Sequence, residues 1–240
     1  MLVLLVTVIV VVIGFIVLKY SGVMASNNTV VGSLGNGVIR LRSFDVDDLI
    51  EKFNHSKIVL TQSYSNGTSR TSYITIDRLG LEEINGTPVY RIKLEAVSSG
   101  NKSIAFIWIT RDFSKILLFR SGGVEYANET AEYYGRVALS APSFVLTAMQ
   151  MSVLFDVNVS EGKAYATTLH WNITSFNEST IRLGGKTYKV VMGEAVKYTN
   201  STIDRRVWFK AVNMDDTWYL LYVKVAEQDG VYTISIEELS

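Results

Sequence analysis

The chain has no cysteine and no net charge (23 basic against 23 acidic side chains), and its 240 residues include only two prolines and two histidines. Without cysteine there is no disulfide framework, no thiolate nucleophile and no Cys-based zinc or iron–sulfur site. His55 and His170 are far apart and have no metal-like spacing. Balanced charge removes the electrostatic case for nucleic acid or for a polybasic membrane patch. There is no Gly-x-Ser-x-Gly elbow, phosphate loop or dinucleotide fingerprint. The carboxylate pairs Asp47-Asp48, Glu82-Glu83 and Asp215-Asp216 are sequence neighbours, which suits caps and turns rather than an acid and a base flanking a substrate. The sequence therefore reads as a non-enzyme, with no cofactor and no metal.

Asparagine is the strongest positive signal. Ten of thirteen asparagines open an Asn-x-Ser/Thr acceptor: Asn27, Asn54, Asn66, Asn85, Asn101, Asn128, Asn158, Asn172, Asn177 and Asn200. Asn-Gly-Thr is also a good turn sequence, which accounts for Asn66 and Asn85, and a turn serves equally at Asn101. It does not account for the whole set, so N-linked glycans and an extracytoplasmic location are expected. A cysteine-free glycoprotein of this kind resembles archaeal cell-surface proteins in composition.

From Met1 to Leu18 the chain is uncharged (MLVLLVTVIVVVIGFIVL), and as a helix it would span roughly 27 Å, close to a bilayer's hydrocarbon thickness. It reads as a transmembrane helix (1–19) anchoring the protein to the cell membrane. Two other readings are a signal peptide ending at Val23-Met24-Ala25, and the assembly helix of a pilin-like filament, which would make homo-oligomers through Met1–Leu18. Lys19 votes weakly for a cytoplasmic C-terminal side, but the acceptor asparagines demand the opposite. Residues 20–37, rich in Gly, Ser and Asn, read as a linker.

Residues 38–240 read as one β-rich domain. Residues 44–53 (FDVDDLIEKF) form a short helix with Ser43 as N-cap; Val46, Leu49, Ile50 and Phe53 share one face. Strands are expected over 57–65, 69–78, 89–97, 103–110 and 115–120, and again over 163–175, 180–183, 186–199, 205–213, 218–227 and 231–239. The alternation in YRIKLEAV puts Tyr90, Ile92, Leu94 and Ala96 on one face, as in an antiparallel sheet with one dry side. Residues 125–140 and 143–155 read as two helices separated by Pro142. The fold class is thus α+β, mostly antiparallel β: one large curved sheet with helices packed on it, preceded by a transmembrane helix. The two strand blocks look alike at an offset of about 100 residues: Tyr90, Glu95-Ala96-Val97 and Trp108 in one, Tyr188, Glu194-Ala195-Val196 and Trp208 in the other. This suggests a duplicated three-strand meander.

The segments 89–120 and 186–224, each with a strand carrying a central Trp and then a short Asp-containing turn, are similar to the periplasmic lipoprotein carriers (LolA-like) and their mycobacterial lipoprotein relatives. That resemblance implies a half-open barrel cupping helices over an apolar cavity that holds an acyl chain. The residues expected to line such a cavity are Met149, Met151, Phe155, Trp108 and Trp208. The leading functional expectation is a membrane-anchored, glycosylated surface protein that binds an apolar ligand or a partner protein. The alternatives are a surface-filament subunit and an accessory subunit of a membrane complex.

Overall fold

The computed structural model describes residues 28–31, 36–199, 202–228 and 230–240. In chain order the elements are β1 (Asn28–Val31), β2 (Gly37–Ile39), β3 (Leu41–Arg42), α1 (Val46–Lys52), β4 (His55–Tyr64), β5 (Ser69–Ile84), β6 (Thr87–Ser98), β7 (Asn101–Thr110), β8 (Ile116–Ser121) and β9 (Val124–Ala127). There follow α2 (Asn128–Ser152), β10 (Val157–Ser160), β11 (Lys163–Ala166), β12 (Trp171–Leu183), β13 (Lys186–Thr199), β14 (Thr202–Met214), β15 (Thr217–Glu227) and β16 (Gly230–Glu237).

The strands form a single sheet in the order β2-β10-β11-β1-β12-β13-β14-β15-β16-β4-β5-β6-β7-β8-β9, with β3 added beside β15. Two runs of consecutive hairpins make up most of it, β4 to β9 and β12 to β16. They join where the last strand, β16, lies antiparallel to β4, from Gly230 opposite Tyr64 to Glu237 opposite Lys57. Among the described residues two pairings are parallel, β1 with β12 and β3 with β15.

This architecture corrects the expected fold class. Among the described residues strands predominate and there are two helices, so the domain is mostly antiparallel β rather than α+β. The expected N-terminal transmembrane helix falls on residues the structure does not describe. No helix among the described residues is long and apolar enough to cross a membrane, and Met1 to Leu18 lies outside the described residues. Two strands, β1 and β2, fall at least partly within the stretch read as linker, and pair with β11, β12 and β10.

The expected helical pair is one helix of 25 residues that runs through Pro142. Proline removes one backbone donor and crowds the carbonyl four residues earlier. Here the flanking hydroxyls bind neighbouring carbonyls: Ser140 Oγ donates to Val137 O at 2.7 Å and Ser143 Oγ to Leu139 O at 2.9 Å. Residues 125–127, expected to be helical, instead form β9 against β8. In α1 the cap is Asp45, not Ser43: Asp45 Oδ1 accepts from the Asp48 N–H while the Asp48 carboxylate accepts from the Asp45 N–H. His170, read as a strand residue, occupies the turn before β12 with φ 84°.

The duplicated meander is present as topology but not as register. Glu95 stands opposite Ile104, whereas its counterpart Glu194 stands opposite Trp208. Trp108 stands opposite Arg91 instead. The matching residues therefore occupy different rungs, and the two units are not copies residue for residue.

The core lies between the sheet and its two helices. Alternation assigns the faces: Ile107 and Ile109 are fully buried under α2, while Lys93, Glu95 and Lys102 lie on the far side. That far side carries a run of ion pairs and hydrogen bonds, Lys102–Glu95–Lys93–Asp77–His55–Glu238–Lys57.

In the centre of the second run, Gly193 pairs directly with Phe209. The Phe209 ring is wedged against Phe155 and Phe176 and lies over the glycine. A Cβ on residue 193 would fall 2.5 Å from Phe209 Cζ and 3.1 Å from the Ser175 carbonyl oxygen. With the ring held on its other sides, Gly193→Ala is expected to cost about 1–3 kcal/mol by overpacking. Urea unfolding of the two proteins measures this, and an unchanged midpoint would contradict the packing described.

Candidate functional site

Helix α2 approaches β8 closely because its sheet-facing stripe begins with small residues. Ala131, Gly135 and Ala138 succeed one another at helical spacing, and all are buried. At Gly135 a Cβ would lie 2.6 Å from Ile116 Cδ1, so the glycine sets the distance between helix and strand. Two charged side chains fasten the same turn. Glu132 accepts the Ile116 N–H, and Arg136 donates to the carbonyls of Phe113 and Ser114 at 3.0 and 2.9 Å as well as to Glu132 at 2.8 Å.

Beside this anchored turn the helix and sheet do not fill the space between them. A cleft of about 220 Å³ opens among Leu94 and Ala96 of β6, Ala105 of β7, Phe119 of β8, and Tyr134 and Ala138 of α2. The cause is a taper in side-chain size. Along β6 the face under the helix reads Ile92, Leu94, Ala96, Ser98, and along β7 it reads Ile109, Ile107, Ala105, Ser103. Large residues pack solidly against α2 at one end, and small ones leave room at the other. One wall is aromatic: Tyr134 lies 4.8 Å from Tyr126 and 6.1 Å from Phe119, centroid to centroid. For scale, an engineered apolar cavity of about 150 Å³ binds benzene.

Ala96 and Ser103 also border a second, smaller space of about 30 Å³, which reaches Ile58, Ile74 and Val145. Its end is polar. Ser72 Oγ donates to Ser98 Oγ at 2.9 Å, and Arg70 Nη2 donates to the same oxygen at 2.9 Å. Ser98 is itself buried.

The residues expected to line a cavity are not brought together. Met149 and Phe155 are buried in the core, Phe155 against Trp171 and Phe209. Met151 points outward and is 40% exposed. Trp108 and Trp208 lie on the far side of the sheet, because each alternates with core residues (Ile107 and Ile109; Val207 and Phe209). Trp108 Nε1 donates to Glu82 at 2.7 Å under Arg91, and Trp208 lies beneath Lys224 and Arg206. The cleft is bordered instead by Ala96, Ala105 and Ala138, with Leu94, Phe119 and Tyr134 around them. The taper Ile92-Leu94-Ala96-Ser98 was the signal available for finding it.

The acceptor asparagines fall into three groups. Asn54, Asn66, Asn85, Asn101, Asn128, Asn158 and Asn177 are exposed. Asn172 is buried, with 4% of its surface accessible. Asn27 and Asn200 lie outside the described residues. Among the described residues, no group of three or more His, Asp or Glu side chains is placed to hold a metal ion.

No protein-family model matches the chain, and no curated protein matches its sequence. Among solved structures it is similar to a DUF1329 family protein from Desulfovibrio piger, with 10% identity over 80% of this chain and 88% of that one and a TM-score of 0.26. It is also similar to a putative exported protein with a YmcC-like fold from Bacteroides fragilis, with 8% identity over 84% of this chain and 100% of that one and a TM-score of 0.22. At those scores neither likeness carries an argument about this chain.

The Glu132 contact gives the helix anchor a pH dependence. Burial alone would raise the Glu132 carboxyl, but the Ile116 N–H and the Arg136 guanidinium outweigh it and hold the group below its ordinary value of 4.5. A carboxyl depressed on folding contributes stability that is fully present above its unfolded value and lost as pH falls through its folded value. Acid titration of thermal stability should therefore show a loss beginning near pH 4.5. Glu132→Gln should remove part of that slope, and an identical slope in the two proteins would show that the contact contributes nothing.

Proposed function

We propose that this chain is an N-glycosylated extracytoplasmic binding protein that holds a small apolar ligand between α2 and the β6–β8 face of its sheet. The observation that carries this reading is the cleft of about 220 Å³ under Tyr134 and Ala138. Protein interiors are normally packed to crystal-like density, so an apolar space of this size next to a well-filled core is a site rather than a packing fault. The cleft lies alongside the turn where Gly135, Glu132 and Arg136 fix the helix, so its walls are held in place without a ligand. On the far side of the sheet Phe106, Trp108 and Trp208 lie beneath Arg and Lys side chains.

Glycosylation rests on the exposure of seven acceptor asparagines. These lie in turns, at element ends and on outward-facing strand positions, where a sugar meets solvent rather than core. Buried Asn172 is the internal control. Glycopeptide mapping of the native protein should find modification among the seven exposed sites and none at Asn172. A fully unmodified protein would end the glycoprotein reading.

Ala96 borders both the cleft and the smaller space, so Ala96→Leu adds bulk where ligand would lie. An uncharged apolar fluorophore should bind the unaltered protein, and Ala96→Leu should weaken that binding at least tenfold with the fold retained by circular dichroism. Equal binding by the two proteins, or none by either, overturns the assignment of the cleft.

A further inference from the structure

Resting on that cleft reading, we infer that the ligand is a single-chain anionic amphiphile whose tail lies in the cleft and whose head is met by Arg70, Ser98 and Ser72. The argument starts from the position of Arg70 in the sheet. Along β5 the helix-facing residues are Arg70, Ser72, Ile74 and Ile76, so a guanidinium ends a row that begins in the core. Ser72 pairs with Ser98 and Ile74 with Ala96, which makes the same polar-to-apolar step on the next strand. Ser103, opposite Ala96, continues it on the third. The helix-facing surface of the sheet thus grades from isoleucine through alanine to serine and ends at one cation.

Among the described residues no carboxylate pairs with the charge at that end. Arg91, Arg136, Arg205 and Arg206 each pair with a carboxylate. Among the described residues Arg70 forms no salt bridge; its recorded contact is the neutral hydroxyl of Ser98. A half-buried guanidinium beside neutral hydroxyls still has donors for an anion, and the fork geometry of arginine suits a carboxylate or phosphate. The two hydroxyls can turn their hydrogens toward the same group.

The dimensions suit one chain rather than two. Three strand spacings separate β5 from β8, roughly 14 Å, and Ala96 and Ser103 are the shared wall of the larger and the smaller space. A single extended tail fits that course from Arg70 to the aromatic wall at Phe119 and Tyr134. A branched or two-chain lipid would have to displace α2.

The test is calorimetric titration of the full-length chain, free of detergent, with dodecanoate and with its uncharged methyl ester. Dodecanoate should bind at least tenfold more tightly than the ester, and the preference should shrink as salt is raised. Arg70→Gln should reduce dodecanoate affinity tenfold or more and leave the ester unchanged. Arg70→Lys, which keeps the charge but not the fork, should fall between. Equal affinity for acid and ester in the unaltered protein, or an Arg70→Gln loss shared by both, overturns the anionic-head inference while leaving the apolar cleft standing. Binding of neither compound overturns both.

Discussion

The pairing of β16 with β4 is the constraint on which the rest depends. Among the described residues it is the one strand pairing that joins two runs of hairpins otherwise built from sequence neighbours, and it connects residues more than 160 positions apart. The chain end reinforces it: the Ser240 carbonyl accepts from the Asn54 and His55 N–H groups, and Ser240 N–H returns a bond to the His55 carbonyl. Until the last strand is in place, the first run has an open edge at β4 and α2 has only part of its floor. A contact of that sequence separation is slow to form, so the closing of the sheet belongs late in folding.

That order of assembly bears on the cleft. Its floor comes from β5 to β8, which are local hairpins, but its roof is α2, whose C-terminal half packs against strands on both sides of the join. Ser152 reaches across to the Tyr232 hydroxyl of β16 at 2.9 Å. The helix is thus fixed at one end by Gly135, Glu132 and Arg136 on β8 and at the other end near the join. The space left beneath its first half is the difference between a rigid roof and a floor of alanine and serine.

Much of the sheet was legible in the sequence because alternation is a strong signal where one face is dry. YRIKLEAV gave the face of β6 correctly, down to Ala96. What failed were segments where local preference and tertiary context diverge. Glu125-Tyr126-Ala127 runs into a helix and carries no strand signature; it is a strand because β8 offers an unpaired edge. Pro142 marks a helix end by rule, and the helix continues because its neighbours pack it in place. The cavity residues were sought among methionines and tryptophans, on the expectation that large apolar side chains line binding sites. The site instead follows from where large side chains stop, and a lack of volume is harder to read than a motif. Trp108 and Trp208 could have been excluded by the same alternation that placed Ala96.

The sheet is long, yet its two outer strands are among its shortest. β2 has three residues and β9 has four, and β9 is bounded by Gly122-Gly123 on one side and by the start of α2 on the other. An edge strand attracts other chains in proportion to the row of unpaired amides and carbonyls it displays. Val38 and Val124 on these two strands are about half exposed, so side-chain chemistry does little to repel a partner. At these two borders, protection against strand-by-strand aggregation falls to brevity: each ends before it can template a stable new pairing.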